Sequence, residues 1–198
     1  MSYDTRELIR NKETLRDWLT FECAFYGPKR IIRTCFPLSE QDCLRKHQIV
    51  LRKTEYCINT GKRCRGLFYR LMLMTIQNKY GLHIPINTCG RGLHIVHLGP
   101  ILINGNAIVG ENCSIHVNTA VVADGLSSDA PIIDDGVILG VGSVVLGGIY
   151  IAKNIAVGAN AVVTKSFHQQ GIAIAGVPAR KISDNGREKW NQEMIGNE

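Results

Sequence analysis

A six-residue repeat in the second half of the chain constrains the fold more than any other feature. An α-helix has 3.6 residues per turn and cannot keep a period of six on one face. An antiparallel sheet would instead show polar and apolar alternation with hairpin turns. Three six-residue units form a coil with three flat faces, and successive coils stack as parallel strands about 4.8 Å apart. With one unit skipped, every repeat position from 103 to 163 is a branched aliphatic: Ile103, Val109, Ile115, Val121, Ile133, Leu139, Val145, Ile151, Val157 and Val163.

The composition agrees with a narrow β-helix core and excludes several classes of protein. Twenty glycines stand against five phenylalanines and two tryptophans, so the core must be built from small aliphatic side chains. The apolar runs fall short of the roughly 18 residues that span a bilayer, and the first residues do not resemble a signal peptide. Seven cysteines without a Cys-x-x-Cys pair argue against a disulfide framework and a thiolate zinc site. We therefore expect a cytoplasmic protein with reduced thiols.

The first 80 residues differ from the rest in charge. They carry 16 Lys and Arg against 8 Asp and Glu, whereas residues 81–198 carry 7 against 9. Such a basic region attracts nucleic acid, an anionic membrane surface or an anionic substrate, or it is merely a solvated face. Because aromatic residues are not interleaved with the basic ones as in a binding platform, we expect no nucleic acid. Peripheral association with a membrane stays open.

Helical periodicity dominates this basic region. Ser39 and Asp42 have the spacing of a capping box, and Gly81 stands where a helix C-terminus is expected. The predicted helices cover residues 4–20, 40–58 and 62–80. The chain is thus divided into a helical region, a mainly β region and a tail, over residues 1–80, 81–182 and 183–198.

Three segments resemble the hexapeptide-repeat acyltransferases. Val157–Lys165 and Ile174–Arg180 are similar to the ending of the acetyl-CoA-dependent members. Ile84–Ile103 is similar to the serine acetyltransferase branch, and most like its bacterial capsular and exopolysaccharide O-acetyltransferases. The resemblance implies a left-handed parallel β-helix, transfer of an acetyl group from acetyl-CoA to a hydroxyl, and no metal. It also implies a homotrimer with each active site between two β-helices.

His97 is the candidate catalytic base. Acetyl transfer to a hydroxyl needs a group that takes the hydroxyl proton, and an imidazole is suited to this near neutral pH. His97 lies six residues before Ile103, in a repeat position that otherwise holds an aliphatic side chain. It also matches the catalytic histidine of the family. The alternative is a histidine at the open end of the β-helix with a backbone partner.

Three further residues are candidates for acceptor binding or for support of the imidazole. His116 follows His97 by one coil plus one residue, which predicts a position close to it on the next coil. His94 either belongs to the site or is a solvated corner residue. Asp129 lies in the loop of residues 124–131, which either walls a substrate site or is a bulging corner.

The acceptor is predicted from residues that depart from serine acetyltransferases. Those enzymes have an aspartate before the catalytic histidine and a second one that orients the imidazole, where this chain has Val96 and Leu82. Their Arg-His pair before a loop proline is replaced by Asp129 and Ala130. Since a free amino acid needs charged partners, we expect a sugar or polysaccharide-precursor hydroxyl, and hence a role in polysaccharide biosynthesis. Serine and a xenobiotic are the alternative acceptors.

The resemblance also implies the residues that bind acetyl-CoA. Small residues in the later coils allow close approach of the pantetheine chain, and basic residues suit the phosphates. The predicted set is Gly140, Val141, Gly142, Ala159, Thr164, Lys165 and Arg180.

We expect direct transfer without a covalent enzyme intermediate, because no Ser or Cys in the motif has a matching base. Two hypotheses from other classes compete with acetyl transfer. One is a metal-dependent hydratase like the γ-type carbonic anhydrases, with His94, His97 and His116 as ligands. The other is a non-catalytic scaffold of a polysaccharide-synthesis complex.

Overall fold

The computed structural model describes residues 7–27 and 37–188, which begin with three helices. These are α1 (Lys12–Ala24), α2 (Glu40–Asn59) and α3 (Arg63–Tyr80). The start predicted for the first helix is wrong: residues 7–10 are not helical, and residues 1–6 lie outside the described ranges. The helix begins after Asn11, because the side chain of Asn11 accepts a hydrogen bond from the backbone N–H of Thr14 at 2.8 Å.

The other two helices begin and end within one residue of the predicted positions. The Ser39 hydroxyl accepts a hydrogen bond from Asp42 N, and the Asp42 carboxylate accepts one from Ser39 N, both at 3.2 Å. This capping box makes Glu40 the first residue of α2. Helix α3 ends at Tyr80 and is capped by Gly81, whose φ of 72° lies in the left-handed region that favours glycine.

Short strands follow from residue 82 to residue 183. In the described part of the chain they are β1 (Leu82–His83), β2 (His94–Ile95), β3 (Ile101–Ile103), β4 (Ile108–Val109), β5 (Ser114–Ile115), β6 (Thr119–Val122), β7 (Ile132–Ile133), β8 (Ile138–Leu139), β9 (Val144–Leu146), β10 (Tyr150–Ile151), β11 (Ala156–Val157), β12 (Val162–Val163), β13 (Ala173–Ala175) and β14 (Arg180–Ser183).

The strands form three sheets that are the faces of a triangular prism. Sheet A has the order β1-β3-β6-β9-β12, sheet B has the order β4-β7-β10, and sheet C has the order β2-β5-β8-β11-β13 followed by β14. All pairs are parallel except that of β13 with β14. The chain passes from A to B to C in every coil, and we name the corners between faces the A–B, B–C and C–A edges.

The register shows where coils depart from the regular length. Val144 pairs with Val162, 18 residues on, which is three six-residue units. Ile108 pairs with Ile132, 24 residues on, because the loop of residues 123–131 adds one unit at the A–B edge. The ten repeat aliphatics point into the prism and are at most 2% exposed, which confirms the predicted parallel β-helix.

Glycine and asparagine alternate at the corners for a steric reason. Gly136 and Asn154 occupy the same corner in adjacent coils, with φ of 71° and 57°. A Cβ atom on Gly136 would lie 2.1 Å from the Asn154 Oδ1 atom. The Asn154 side chain therefore requires a glycine at position 136, and Asn160 lies against Gly142 in the same way.

The helices are joined to the first coil by buried charges. Arg52 is fully buried and donates hydrogen bonds to the carbonyl oxygens of Cys89 (3.0 Å) and Gly90 (2.7 Å). Its guanidinium also pairs with Glu22 at 2.8 Å and Glu55 at 2.9 Å. Burial lowers the pKa of Arg52, but the two carboxylates outweigh this effect and raise it above its usual range. The guanidinium therefore stays charged. None of the helices within residues 7–27 and 37–188 is long and apolar enough to cross a membrane.

Candidate functional site

The C–A edge brings together His97, His116 and part of the predicted acetyl-CoA set. His97 follows β2, His116 follows β5, and their ring centroids are 6.4 Å apart. The segment 140–142 and Ala159 follow β8 and β11 at the same edge. The edge is therefore a line of corner residues that begins at the two imidazoles.

His97 does not occupy the repeat position that the sequence predicted for it. The register pairs Ile95 with Ile115, so the interior position belongs to Ile95, which is fully buried. The corner between β2 and β3 is longer than a regular corner, and residues 95 and 115 are separated by 20 positions instead of 18. His97 lies in this corner with its side chain 55% exposed. The argument from a broken aliphatic position is wrong, although the residue does lie at a solvent-accessible edge.

A carboxylate from the helical region reaches His97. The Oε1 atom of Glu40, the first residue of α2, lies 3.5 Å from His97 Nδ1. The same oxygen accepts a hydrogen bond from the backbone N–H of Leu98 at 2.7 Å. Sequence reasoning missed Glu40. The capping box fixes its place on the helix, but its proximity to His97 follows from how α2 packs on the first coil.

The pKa values of the two neighbouring histidines are lowered, which favours their neutral form. Burial, followed by the effects of His116 and Arg187, lowers the pKa of His94 to about 4. The His94 ring lies against Phe25 with centroids 4.7 Å apart. Burial and His97 also lower the pKa of His116. A group with a pKa near 4 is a weak base at neutral pH, so His94 is better suited to packing or hydrogen bonding than to proton removal.

A cleft of about 570 Å³ adjoins His94. Phe21 and Phe25 of the helical region form one wall, and corner residues of the B–C edge form the floor. Arg187 also lines the cleft and donates hydrogen bonds to the carbonyl oxygens of Asn112 and, at 3.0 Å, Gly136. Both aromatic and charged side chains line the cleft. Among the lining residues, His94 is the one closest in sequence to His97.

The two predicted glycines of the acetyl-CoA set are required by the stacking of coils. A Cβ atom on Gly140 would lie 2.6 Å from the carbonyl oxygen of Val157. Gly142 has a φ of 70°, and its Cβ would lie 2.2 Å from Asn160 Oδ1. Their identity therefore has a structural cause and does not by itself mark a ligand. Val141 is 40% exposed and Ala159 is exposed, so the edge presents a small-residue surface to solvent.

The remaining predicted residues are divided between edges. Thr164 and Lys165 follow β12, and Asp129 lies in the loop before β7, so all three belong to the A–B edge. Arg180 begins β14 and pairs with Ala175 near the C–A edge. Within one chain, the structure brings Arg180 to the His97 edge, whereas the width of sheet A separates Asp129, Thr164 and Lys165 from it.

Residues 7–27 and 37–188 contain no group of three or more His, Cys, Asp or Glu side chains that could hold a metal ion. His94, His97 and His116 are close neighbours but do not form such a group. The metal-hydratase alternative therefore gains no support from this arrangement.

Sequence comparison relates the chain to serine acetyltransferases. The enzyme of Salmonella typhimurium is 28% identical over 138 residues, which are 69% of this chain and 50% of that protein. The enzyme of Synechococcus elongatus is 32% identical over 99 residues, which are 49% of this chain and 40% of that protein. The chain thus spans about half the length of the curated relatives it matches. No protein-family model matches it.

Structure comparison also finds serine acetyltransferases. The serine acetyltransferase of Brucella abortus in complex with coenzyme A superimposes with a TM-score of 0.66 at 23% identity, over 88% of this chain and 70% of that chain. A serine acetyltransferase in complex with cysteine gives 0.65 at 22% identity, over 87% and 71%. These likenesses confirm the predicted fold class, a left-handed parallel β-helix preceded by a small helical region. The sequence relatives support the wider hexapeptide-repeat transferase group, whereas the polysaccharide branch rests on local resemblance alone.

Proposed function

We propose that this protein is an acetyl-CoA-dependent O-acetyltransferase in which His97 is the general base. The observation that carries the proposal is the exposed imidazole of His97 at the C–A edge, with a carboxylate at Nδ1. With Glu40 at Nδ1, Nε2 is the nitrogen left to take a proton. The sequence relatives and a fold relative that binds coenzyme A support the same chemistry.

The reaction needs one proton acceptor and one site for developing negative charge. The acceptor hydroxyl oxygen attacks the thioester carbonyl carbon while His97 Nε2 removes the hydroxyl proton. Backbone N–H groups stabilise the resulting oxyanion. Collapse of the tetrahedral intermediate breaks the carbon–sulfur bond, and the proton on His97 passes to the leaving coenzyme A thiolate. The acetyl group thus moves directly from sulfur to oxygen.

Acetyl-CoA is proposed to lie along the C–A edge. From His97 to Ala159 the edge rises by three coils, or about 14 Å at about 4.8 Å per coil. Val141 and Ala159 would contact the pantetheine chain, and Arg180 would contact a phosphate. Because Thr164 and Lys165 lie on the A–B edge, they would reach this substrate only from a neighbouring protomer. This arrangement agrees with the homotrimer implied by the family resemblance.

Serine is the acceptor that the comparisons support best, since the relatives named above are serine acetyltransferases. A sugar hydroxyl is the second candidate, favoured by the residues around the base. Leu82 is fully buried and Val96 is aliphatic, so neither supplies the charge that an amino acid requires. The loop before Pro131 likewise holds Ala130, which is 9% exposed.

One kinetic series tests the base and the acceptor together. Release of coenzyme A thiol is measured with L-serine and with a panel of hexoses and hexosamines, for the wild type and His97→Ala. We expect His97→Ala to lose about 10²–10⁴-fold in kcat and to keep its affinity for coenzyme A. His168→Ala is the matched control, because His168 is an exposed histidine that stacks on Tyr150.

Full activity of His97→Ala would refute the proposed base. If serine turnover exceeds that of every sugar by more than about tenfold, the sugar hypothesis is excluded. If a sugar exceeds serine by the same margin, serine is excluded as the main acceptor.

A further inference from the structure

We infer that Glu40 is a positioning residue that orients His97 from the helical region. The inference rests on the proposed function, in which His97 is the base. The β-helix itself has aliphatic residues at 82 and 96, the two positions where a carboxylate next to the imidazole was expected. Glu40 supplies that carboxylate from the start of α2.

One carboxylate oxygen of Glu40 makes two contacts with the corner that contains His97. Glu40 Oε1 accepts the Leu98 N–H at 2.7 Å and lies 3.5 Å from His97 Nδ1. The bond to Leu98 fixes the carboxylate on the corner that carries the histidine. A separation of 3.5 Å is long for a hydrogen bond, but catalytic contacts in unliganded enzymes commonly tighten when substrate binds. A hydrogen on Nδ1 that points to the carboxylate leaves the lone pair on Nε2 for the acceptor.

Contacts at two points along α2 determine the position of Glu40. At the first residue, the Ser39–Asp42 capping box fixes the start of the helix, and a carboxylate in the first turn is favoured by the helix dipole. Twelve residues further on, Arg52 ties the same helix to the backbone of Cys89 and Gly90. A shift of α2 along the first coil would break these buried bonds, so Glu40 is held in register with His97.

The other charged or titratable neighbours do not offer this function. His116 and His94 are near His97, and both are imidazoles whose pKa is lowered mainly by burial. A neutral imidazole can accept a hydrogen bond from His97 Nδ1–H, but unlike a carboxylate it carries no negative charge to stabilise the imidazolium that His97 becomes. Glu40 and His97 are both partly exposed, so the contact between them adds little to stability. Its effect is therefore expected in catalysis and in the state of the imidazole.

The experiment compares Glu40→Ala and Glu40→Gln with the wild type. In metal sites, loss of the group that orients a ligating histidine costs about 10–100-fold, and we expect a cost of the same order for a histidine base. We expect Glu40→Ala to lower kcat by this factor while the KM values of both substrates stay within about twofold. Glu40→Gln, which keeps an acceptor oxygen, should lose less. Glu13→Gln is the control, since Glu13 is an acidic residue in the first turn of α1.

Two readouts separate orientation from a structural effect. In ¹⁵N-histidine-labelled protein, the His97 ring should carry its proton on Nδ1 in the wild type and shift toward the Nε2–H tautomer in Glu40→Ala. In kinetics, the variant lacking both Glu40 and His97 should be no slower than His97→Ala alone.

Each result has a defined meaning. An unchanged kcat in Glu40→Ala, an unchanged tautomer, or a multiplicative loss in the double variant would overturn the inference. A rise in acceptor KM alone would assign Glu40 to acceptor binding instead. If His97→Ala is active but the tautomer still depends on Glu40, the proposed base fails while the contact stands.

Discussion

The helical region and the β-helix are stabilised by different kinds of buried residue. Along the prism the interior is a ladder of branched aliphatics, and each strand bonds to the same face of the next coil. The helical region buries apolar residues as well, but it also buries charged and polar side chains, among them Glu22, Arg45, His47, Gln48, Arg52 and Glu55. Within the β-helix, each coil is stabilised by the similar coil next to it. The first coil has no coil before it, so its exposed backbone and side chains need other specific partners.

The buried polar groups of the helices satisfy the open end of the first coil. In β2, the backbone of His94 bonds to the second coil, while the N–H and carbonyl of Ile95 face the other way and bond to the Tyr26 hydroxyl at 3.1 and 3.2 Å. Glu22 accepts the N–H of Gly92 at 2.9 Å. With the Arg52 bonds to the first coil, these contacts make the helical region a cap on an otherwise unpaired sheet end. The same contacts place Glu40 at His97.

The largest effect is expected when the cap is broken at Arg52. Arg52→Met leaves two carboxylates buried without their cation and two backbone carbonyls without a donor. Loss of one partner of a buried pair costs about 3–5 kcal/mol in the free energy of unfolding. Urea denaturation measures it, with Arg65→Met as the control because Arg65 is exposed on α3. A loss below about 1 kcal/mol would show that the charges are not what holds the cap in place.

A smaller, pH-dependent effect is expected from His47. It is fully buried, and neither ring nitrogen has a hydrogen-bond partner among the described residues. Burial, followed by Arg52, lowers its pKa from 6.5 to about 4. The unfolded state therefore binds the proton first as pH falls, so stability is complete above about pH 6.5 and is lost toward pH 4, by about 3 kcal/mol.

His47→Leu should remove this part of the pH dependence and cost little at pH 7, since the imidazole makes no hydrogen bond there. Chemical denaturation at several pH values between 4 and 8 measures the difference. The slope that remains contains a contribution of the same sign from His94, whose pKa is lowered too. A slope identical to that of the wild type would mean that His47 is not buried in its neutral form.

The contrast between the regions also explains what the sequence could predict. Three features were predicted from local patterns, and the structure contains all of them: the aliphatic ladder, the capping box at Ser39 and the C-terminal cap of α3 at Gly81. The contact of Glu40 with His97 and the bonds from Arg52 to the first coil join distant parts of the chain, and local periodicity does not encode them. The interior position assigned to His97 was wrong because a regular repeat was extended through a corner that contains Gly99 and Pro100.

The smallest effect is expected inside the ladder. Ile133 and Ile151 are partners in adjacent coils of sheet B, and both are at most 1% exposed. Removal of one methyl group by Ile133→Val or Ile151→Val should each cost about 0.5–1.5 kcal/mol. Ile133 lies between Val109 and Ile151, and Ile151 lies between Ile133 and Phe167, so the two environments are similar and the two costs should agree within about 0.5 kcal/mol. Because the side chains are neighbours in the stack, the double variant should depart from additivity. Ile133→Val combined with Ile76→Val, which lies in α3, should be additive and serves as the control.

The prediction is wrong if Ile133→Val and Ile151→Val have unequal costs and the double variant is strictly additive. That result would show that the packing of each coil is independent of the packing of its neighbour.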